Sequence, residues 1–310
     1  DKDNQAWWDW YVSLADNNDK ENKIINAAPL PNIAIPSDDE VLLELNQPYD
    51  LTNDQIKFFK KNGFIKLKKV FSPGTVLKLR AKLISLLKYH FQVDPDKEAN
   101  DRFLSLEMIW LNNSLLRAYV LSPRLGQISA NLLEVPAVRL YHDNVLAKQS
   151  GCGRTPWHFD DHHFPLDTND VVTAWVPAQP TPIEMGPLSF AYPLDVHKLV
   201  NTVSFEKNGT GYDREITNIF SKNKINIDET PFELGEVSFH HNLSFHTASR
   251  NRTNLSRVVL ANTYYRDGAR VVNSPTMVSG DWQKFMPNVN PGDIAASPLN
   301  PICWPVKDNL

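Results

Sequence analysis

The strongest constraint on the fold is a change in sequence pattern after Pro136. From there on, short runs rich in β-branched and aromatic residues are separated by clusters of Gly, Pro, Asn and Asp, a pattern typical of strands and turns. The runs are VRLYHDNVLA, TPWHFD, VVTAWVPA, PLSFAY, EVSFHH and SRVVLANTYY. Because no helical segments alternate with them, the pattern disfavours a parallel α/β sheet and predicts an antiparallel sandwich or barrel.

Helix signals precede these strands. Thr52 and Gln55 form a capping box before IKFFKKNG, and Gly63 is placed to end that helix. The segment GFIKLKKV then alternates as a strand does. The helix therefore leads directly into a strand.

Two further helical segments follow. Ser72 and Pro73 have the residue types of an N-cap and a first helical position, and apolar residues recur at helical spacing to about residue 90. A third segment, LLRAYVLSPRLGQISANLLE, is broken near Pro123. The predicted fold class is mainly β with flanking α-helices, in the form of a double-stranded β-helix, a jelly-roll or cupin-like barrel.

The first part of the chain reads differently from the rest. Residues 1–48 combine several prolines with polar residues, and they are predicted to form an extended N-terminal arm that packs on the body. Trp7, Trp8, Trp10 and Tyr11 lie in this arm; packing against the body is the expected role, and a substrate lid is the alternative. Residues 49–310 are predicted to form a single domain.

Composition excludes several function classes. The formal net charge of −4 gives no general attraction to nucleic acid or to an anionic membrane, and no apolar run is long enough to span a bilayer. Cys152 and Cys303 are too few for a disulfide scaffold or a thiolate zinc site, and are expected to be free thiols. These features favour a cytoplasmic protein with a small-molecule partner, whose oligomeric state the sequence leaves open.

Histidines and aspartates are concentrated in two short segments, WHFDDHHF and FHHNLSFH. Residues i and i+2 of a strand share a face, so His158 and Asp160 are predicted to present an imidazole and a carboxylate side by side. A third imidazole from a neighbouring strand would complete the two-histidine, one-carboxylate ligand set of non-haem Fe(II) oxygenases. By the same alternation, the side chains of Trp157 and Phe159 are expected on the opposite face.

Other histidines compete as ligands. His162 shares the parity of His158 and Asp160, and a His-x-Asp-x-His set would favour a zinc hydrolase. Because Pro165 follows closely, His162 and His163 are interpreted as pocket-wall groups. The histidines His240 and His241 are interpreted as forming hydrogen bonds at a strand end, in preference to metal ligation.

Three longer segments resemble the phytanoyl-CoA dioxygenase family of iron- and 2-oxoglutarate-dependent oxygenases. They are TPWHFDDHHFPLDTNDVVTAW with the following GPLSF, then ELGEVSFHHNLSFHTASRNRTNLSR, and the earlier LTNDQIKFFKKNGFIKLKKVFSPGTVLKLR. The family has His-x-Asp, a later strand Trp, and an Arg eleven residues after a second His, as His246 and Arg257 are here. Two departures are Phe159, where the family often has Gln, and the turn at residues 192–198.

The resemblance implies roles for six residues. It makes His158, Asp160 and His246 the metal ligands for Fe(II). It also assigns three residues to 2-oxoglutarate: Arg257 to the distal carboxylate, and Trp175 and Asn144 to positions beside the cosubstrate. An Arg suits the carboxylate because its planar fork makes two parallel hydrogen bonds. Arg250 and Arg252 compete for that role, but they lie in a polar loop, whereas Arg257 begins a strand.

The predicted activity is that of a dioxygenase that uses Fe(II), 2-oxoglutarate and O2 to hydroxylate an unactivated C–H bond of a small molecule, with release of succinate and CO2. The alternatives are a zinc- or manganese-dependent cupin-type hydrolase or isomerase, and a non-catalytic metabolite-binding barrel. The candidate substrate-pocket residues are His142, Arg154, Trp157, Asp161, His162 and His163.

Overall fold

The strands form two antiparallel sheets in a computed structural model that describes residues 23–97, 101–203, 211–275 and 281–305. In the large sheet the order is β1-β8-β5-β10-β3, with β2 and β11 sharing the far edge of β3; in the small sheet it is β4-β9-β6-β7. The strands are β1 (Phe64–Leu67), β2 (Phe103–Glu107), β3 (Val138–Lys148), β4 (Thr155–His158), β5 (Val171–Pro177), β6 (Leu188–Tyr192), β7 (Asn226–Asp228), β8 (Val237–His241), β9 (Phe245–Ala248), β10 (Arg257–Arg266) and β11 (Ile302–Trp304). The two facing sheets confirm the predicted jelly-roll-type barrel.

Helices flank the sheets, and most of them precede β3. They are α1 (Asp38–Asn46), α2 (Asn53–Asn62), α3 (Pro73–Phe91), α4 (Ser114–Val120), α5 (Pro123–Leu133), α6 (Val196–Val200), α7 (Gly211–Asn223) and α8 (Trp282–Phe285). Thr52 caps α2 in a capping box and Gly63 ends it with a left-handed φ of 78°. The predicted break near Pro123 separates α4 from α5.

The N-terminal arm is not extended throughout. Where residues 1–48 were expected to lack a helix, α1 begins after Ser37, which forms a capping box with Glu40. Val41 and Leu45 of α1 are buried in the main apolar cluster, so this helix packs on the body. The aromatic residues at positions 7, 8, 10 and 11 lie outside the described residues, and their role stays a prediction.

The largest apolar cluster lies between the helices and the outer face of the large sheet. It joins residues of α1 to α5 with outward-facing strand residues such as Val145, Val172 and Leu260. A much smaller cluster, which includes Phe64, Phe190 and Val259, lies between the two sheets. Most of the apolar burial is therefore outside the sandwich, and the inner faces are free to carry polar side chains.

Two remaining expectations concern cysteines and membranes. Cys152 and Cys303 are both buried free thiols, as predicted. Among the described residues, no helix has the length and apolar character needed to cross a bilayer.

Candidate active site

Three side chains of the small sheet and its adjoining turn converge on one point. His158 at the end of β4 is the Cα partner of His246 on β9. The carboxylate of Asp160 lies between them, with Oδ1 3.6 Å from Nε2 of His158 and 3.9 Å from Nε2 of His246. All three ligand atoms lie within 4.8 Å of one another, so this cluster is a candidate metal centre.

Asp160 reaches the cluster by a turn and not by strand parity. Strand β4 ends at His158, and Asp160 has a helical φ of −88° and ψ of −11°. Trp157 and Phe159 do point away from the cluster, as predicted. Their ring centroids lie 5.4 and 6.2 Å from that of Phe245, which is on the face of β9 opposite His246. The prediction of a continuous strand through Asp160 is wrong, while the predicted side-chain placement is confirmed.

Backbone contacts hold Asp160 and the two imidazoles in place. The N–H of Asp160 donates to the carbonyl of Asn242 at 2.8 Å. Nδ1 of His158 lies 2.8 Å from the carbonyl oxygen of Pro156, and Nδ1 of His246 lies 2.9 Å from that of Ser244. When each Nδ1–H donates to its carbonyl, the lone pair of each Nε2 is left to face the cluster.

The protonation states of the cluster suit a cation. Burial lowers the pKa of both His158 and His246 below the ordinary value, which keeps the imidazoles neutral. Burial raises the pKa of Asp160, but interactions with His246, His240 and His158 outweigh burial and hold it below its usual range. Two neutral imidazoles and one carboxylate are the donor set that Fe(II) oxygenases use, so the residues fit that metal.

Arg257 begins β10 and faces the interior of the sandwich. Its side chain is fully buried, and Nη1 donates to the carbonyl of Gly186 at 2.5 Å. Nε is buried without a hydrogen-bond partner, and no carboxylate of the described chain forms an ion pair with Arg257. Burial lowers its pKa to about 10, so the guanidinium is still charged at neutral pH. A buried cation with an unused donor fits the distal carboxylate of 2-oxoglutarate.

A second buried cation stands beside Arg257. Lys148 is its Cα partner across β10 and β3, and the Lys148 side chain is fully buried. Its Nζ donates to the carbonyls of Ala248 and Ser249, just beyond His246 on β9. Lys148 therefore stands beside Arg257 on the large sheet and bonds to the backbone of the segment that carries His246. The sequence analysis did not predict a role for it. Its position four residues after Asn144, on the same strand face, is the signal that could have found it.

Trp175 and Asn144 lie on the same wall as Arg257. Both are Cα partners of Ala261 on β10, one from β5 and the other from β3. The ring of Trp175 lies 5.4 Å from Cζ of Arg257, and Oδ1 of Asn144 accepts a hydrogen bond from Ser105 at 2.9 Å. The structure thus brings the three predicted cosubstrate residues to one inner face.

The inner face of the large sheet also carries a polar row opposite the metal cluster. Thr173 and Thr263 are Cα partners, and their hydroxyl oxygens lie 3.0 Å apart. His142, the partner of Thr263 on β3, stacks on Phe285 at 4.5 Å and has a buried Nδ1 without a partner. His163 lies close enough to lower the pKa of His142, after the larger effect of burial. We call the part of the interior between the metal cluster and this row the chamber.

Two other pocket candidates line a neighbouring cavity. Asp161 accepts a hydrogen bond from Nδ2 of Asn242 at 2.7 Å, and His162 lies beside it in a short 3-10 turn. Both border a cavity of about 350 Å³, which is also lined by residues 164–169, Val272 and Ser274. Of the residues that line this cavity, Asp161 directly follows Asp160 in the chain.

Trp157 and Arg154 both lie near α7. Trp157 packs edge-on to Phe220 of α7, and its carbonyl accepts a hydrogen bond from Tyr212 of the same helix. Arg154 lies near Tyr212. Burial raises the pKa of the Tyr212 phenol, and the positive charge of Arg154 partly opposes this shift. The assignment of Trp157 and Arg154 to the substrate pocket stays a prediction; strand alternation turns the Trp157 side chain toward α7.

His240 was not expected in the site. It lies on the inner face of β8, where its Cα partners are Phe64 and Thr173, and its Nε2 is 3.4 Å from Oδ2 of Asp160. A hydrogen bond at a strand end was the predicted role, and the structure places the ring instead next to the metal cluster. Alternation along β8, with buried Phe239 on the opposite face, is the signal that could have found it.

A model of the phytanoyl-CoA dioxygenase family, PhyH, matches residues 59–259, well over half of the chain. The chain belongs to the phytanoyl-CoA dioxygenase family. This match confirms the resemblance drawn from the sequence motifs. No curated protein sequence matches the chain significantly.

Solved structures with the same fold carry the chemistry associated with this family. SnoK, a non-haem α-ketoglutarate-dependent carbocyclase from nogalamycin biosynthesis, is 21% identical with a TM-score of 0.65, covering 83% of this chain and 99% of its own. The epimerase SnoN, in complex with Fe3+, α-ketoglutarate and nogalamycin RO, is 18% identical with a TM-score of 0.61, covering 81% and 97%. EctD from S. alaskensis, with 2-oxoglutarate and 5-hydroxyectoine, is 15% identical with a TM-score of 0.60, covering 88% and 98%.

These similarities confirm the double-stranded β-helix fold. Together with family membership and the triad of His158, Asp160 and His246, they place the chain in the class of iron- and 2-oxoglutarate-dependent oxygenases. The class predicted from the sequence is therefore confirmed at this level.

Proposed function

We propose that this oxygenase hydroxylates an unactivated C–H bond of a small-molecule substrate, with release of succinate and CO2. The observation that carries the proposal is the convergence of His158, Asp160 and His246 within 4.8 Å. When bound, Fe(II) with 2-oxoglutarate and O2 supplies the oxidising chemistry.

The protein's own residues provide binding and orientation. His158, Asp160 and His246 would hold the metal through atoms already directed at one point. Arg257 would bind the distal carboxylate of 2-oxoglutarate, with Trp175 and Asn144 beside it. A metal-dependent cupin hydrolase would have no use for this buried guanidinium, so Arg257 favours the oxygenase over that alternative.

The chamber wall supports a substrate that carries hydrogen-bonding groups. His142, Thr173 and Thr263 present imidazole and hydroxyl groups on one inner face. On the other side of the cluster, Trp157, Phe159 and Phe245 form an apolar layer under α7 that keeps water from that side. The cavity lined by Asp161 and His162 is the proposed entrance for substrate.

The test is turnover under labelled dioxygen. A small-molecule library is screened for succinate release above the uncoupled background, and hits are analysed by mass spectrometry. Hydroxylation adds one oxygen atom that carries the label. A product of unchanged mass, or one that has lost two hydrogens, would indicate epimerisation or ring closure and would refute hydroxylation. The absence of any 2-oxoglutarate chelate with Fe(II) would refute the oxygenase itself.

A further inference from the structure

His240 stands next to the metal cluster but is held differently from the two candidate ligands. It is 3% exposed, and its ring centroid lies 4.6 Å from that of His246 and 5.7 Å from that of Phe190. The imidazole is therefore fixed in the interior, between the large sheet and the cluster.

The two oxygens of Asp160 face different neighbours. Oδ1 lies toward the Nε2 atoms of His158 and His246, at 3.6 and 3.9 Å. Oδ2 lies 3.4 Å from Nε2 of His240. One oxygen is thus directed at the cluster and the other at a potential donor on the opposite sheet.

The Nδ1 atoms separate His240 from the ligating histidines. In His158 and His246 this atom lies within hydrogen-bond distance of a backbone carbonyl, which leaves Nε2 as an acceptor. In His240 Nδ1 is buried without a hydrogen-bond partner. Since no carbonyl holds a proton on Nδ1, a neutral His240 carries its proton on Nε2, where it meets the Asp160 carboxylate.

We propose that His240 is a positioning residue that donates its Nε2–H to Oδ2 of Asp160 and so holds this carboxylate as a ligand through Oδ1 alone. The inference rests on the proposed metal site. A carboxylate bound through one oxygen leaves three coordination positions open, as a bidentate cosubstrate and O2 require. Without the hydrogen bond, the carboxylate loses the contact that fixes its orientation, and Oδ1 is held less firmly toward the metal.

The test compares His240→Phe, which keeps a flat ring and removes the donor, with His240→Gln, which places an amide donor at similar reach. The Fe(II) dissociation constant is measured anaerobically, without cosubstrate, by competition with a chromophoric chelator. Loss of such an outer partner is expected to weaken Fe(II) binding roughly 10- to 100-fold in His240→Phe, and Gln should recover part of it. The ligand-field spectrum of the Co(II) form should change in the Phe variant and return toward wild type in the Gln variant.

The matched control is His241→Gln on the same strand. The ring of His241 lies on the other side of β8, 6.4 Å from that of Phe59, so its Fe(II) affinity should equal that of the wild type. If His240→Phe does not fold, His240→Leu, which also lacks the donor, replaces it. Unchanged Fe(II) affinity and Co(II) spectrum in the donor-less variant would overturn the proposal.

X-ray absorption distinguishes positioning from ligation. We expect two imidazoles per Fe(II) in both the wild type and His240→Phe. Three in the wild type and two in the variant would make His240 a ligand and overturn the inference. Failure of the wild type to bind Fe(II) would overturn both this inference and the proposed function, whereas Fe(II) binding without a 2-oxoglutarate chelate would overturn the proposed function alone.

Discussion

Among single residues, Arg257 best separates an oxygenase from a generic metal-binding barrel. On the proposed function, Arg257→Ala removes the partner of the desolvated distal carboxylate of 2-oxoglutarate, a loss of about 2 to 5 kcal/mol. The apparent dissociation constant of 2-oxoglutarate should therefore rise roughly 30-fold or more, with Fe(II) affinity little changed. Arg257→Lys should recover only part, because it restores the charge without the fork. The chelate absorption band of the anaerobic Fe(II) protein reports the affinity.

Arg252→Ala is the matched control for Arg257. Arg252 is exposed in the loop before β10, where its backbone N–H donates to the carbonyl of Glu184 and its carbonyl accepts from the N–H of Ile25. Its removal should leave the 2-oxoglutarate titration unchanged. A large loss in Arg252→Ala with none in Arg257→Ala would show that the cosubstrate anchor is in the loop.

The metal ligands give a second prediction. His158→Ala, Asp160→Ala and His246→Ala should each lower Fe(II) affinity by more than roughly a hundredfold, since even outer partners of a metal ligand cost 10- to 100-fold. Turnover should be lost while circular dichroism stays that of the folded protein. The exposed His90→Ala is the control. Fe(II) binding at wild-type strength in His246→Ala would require a different third ligand.

The sequence was sufficient to predict the metal-ligand residues, but not all the contacts that hold them in place. Strand parity brought His158 and Asp160 together, although the structure achieves this by a turn that Asn242 holds through backbone contacts. Those contacts join segments far apart in the chain, so no local pattern could reveal them. Strand alternation is enough to place Lys148 and His240 on an inner face, but the groups that they meet there depend on which strand lies opposite.

At the scale of elements, the turn before β6 supplies a backbone carbonyl, that of Gly186, which accepts a hydrogen bond from Arg257. Gly186 has a φ of 73°, and a Cβ there would lie 2.1 Å from the carbonyl oxygen of Ser249. Since its own carbonyl accepts the Arg257 hydrogen bond, Gly186→Ala should lower the free energy of unfolding by more than about 2 kcal/mol and also weaken 2-oxoglutarate binding. Urea unfolding and the chelate titration measure the two effects.

Gly268→Ala is the control for Gly186→Ala, because it introduces the backbone strain of a positive φ without a steric clash. Gly268 has a φ of 86°, and a Cβ there would meet nothing within 4 Å. We expect a loss of about 1 kcal/mol and normal 2-oxoglutarate binding. Equal losses in the two variants would mean that the close approach to Ser249 is relieved by a small backbone shift.

Helix ends were predictable where capping signals stood alone. The capping box at Thr52 predicts where α2 begins, and Ser72 with Pro73 predicts where α3 begins. These signals are local, because a cap accepts hydrogen bonds from N–H groups in the first turn of its own helix. An equivalent capping box at Ser37 and Glu40 starts α1, in a segment whose prolines favour an extended arm. Those prolines lie outside α1, where they do not interrupt its hydrogen bonds.

For the molecule as a whole, Asp143 makes stability depend on pH. It is fully buried, Oδ2 accepts the N–H of Ile109 at 2.8 Å, and Oδ1 has no partner. Burial raises its pKa to about 7, so between pH 4 and 7 the folded state holds a proton that the unfolded state has lost. Stability from this group is therefore full below the unfolded pKa and is lost as the pH rises toward 7.

Asp143→Asn should remove that dependence. The amide can accept from Ile109 and donate to Oδ1 of Asn262, which is unpartnered on the residue paired across β10. The variant should be more stable than wild type at pH 8 by on the order of 3 kcal/mol, and the gain should vanish near pH 4. Urea unfolding at the two pH values measures it. An equal gain in the free energy of unfolding at both pH values would show that the gain comes from the fit of the amide and not from the ionisation of Asp143.

The division of apolar residues between two places has a consequence for how such an enzyme acquires new substrates. The main cluster lies outside the sandwich, and chamber-facing positions such as His142 and Thr263 contribute little to it. Mutational tolerance should therefore be greatest where substrate is recognised. A combinatorial library confined to these positions would yield mostly folded variants, and specificity could diverge among descendants of this protein while the apolar core stays intact.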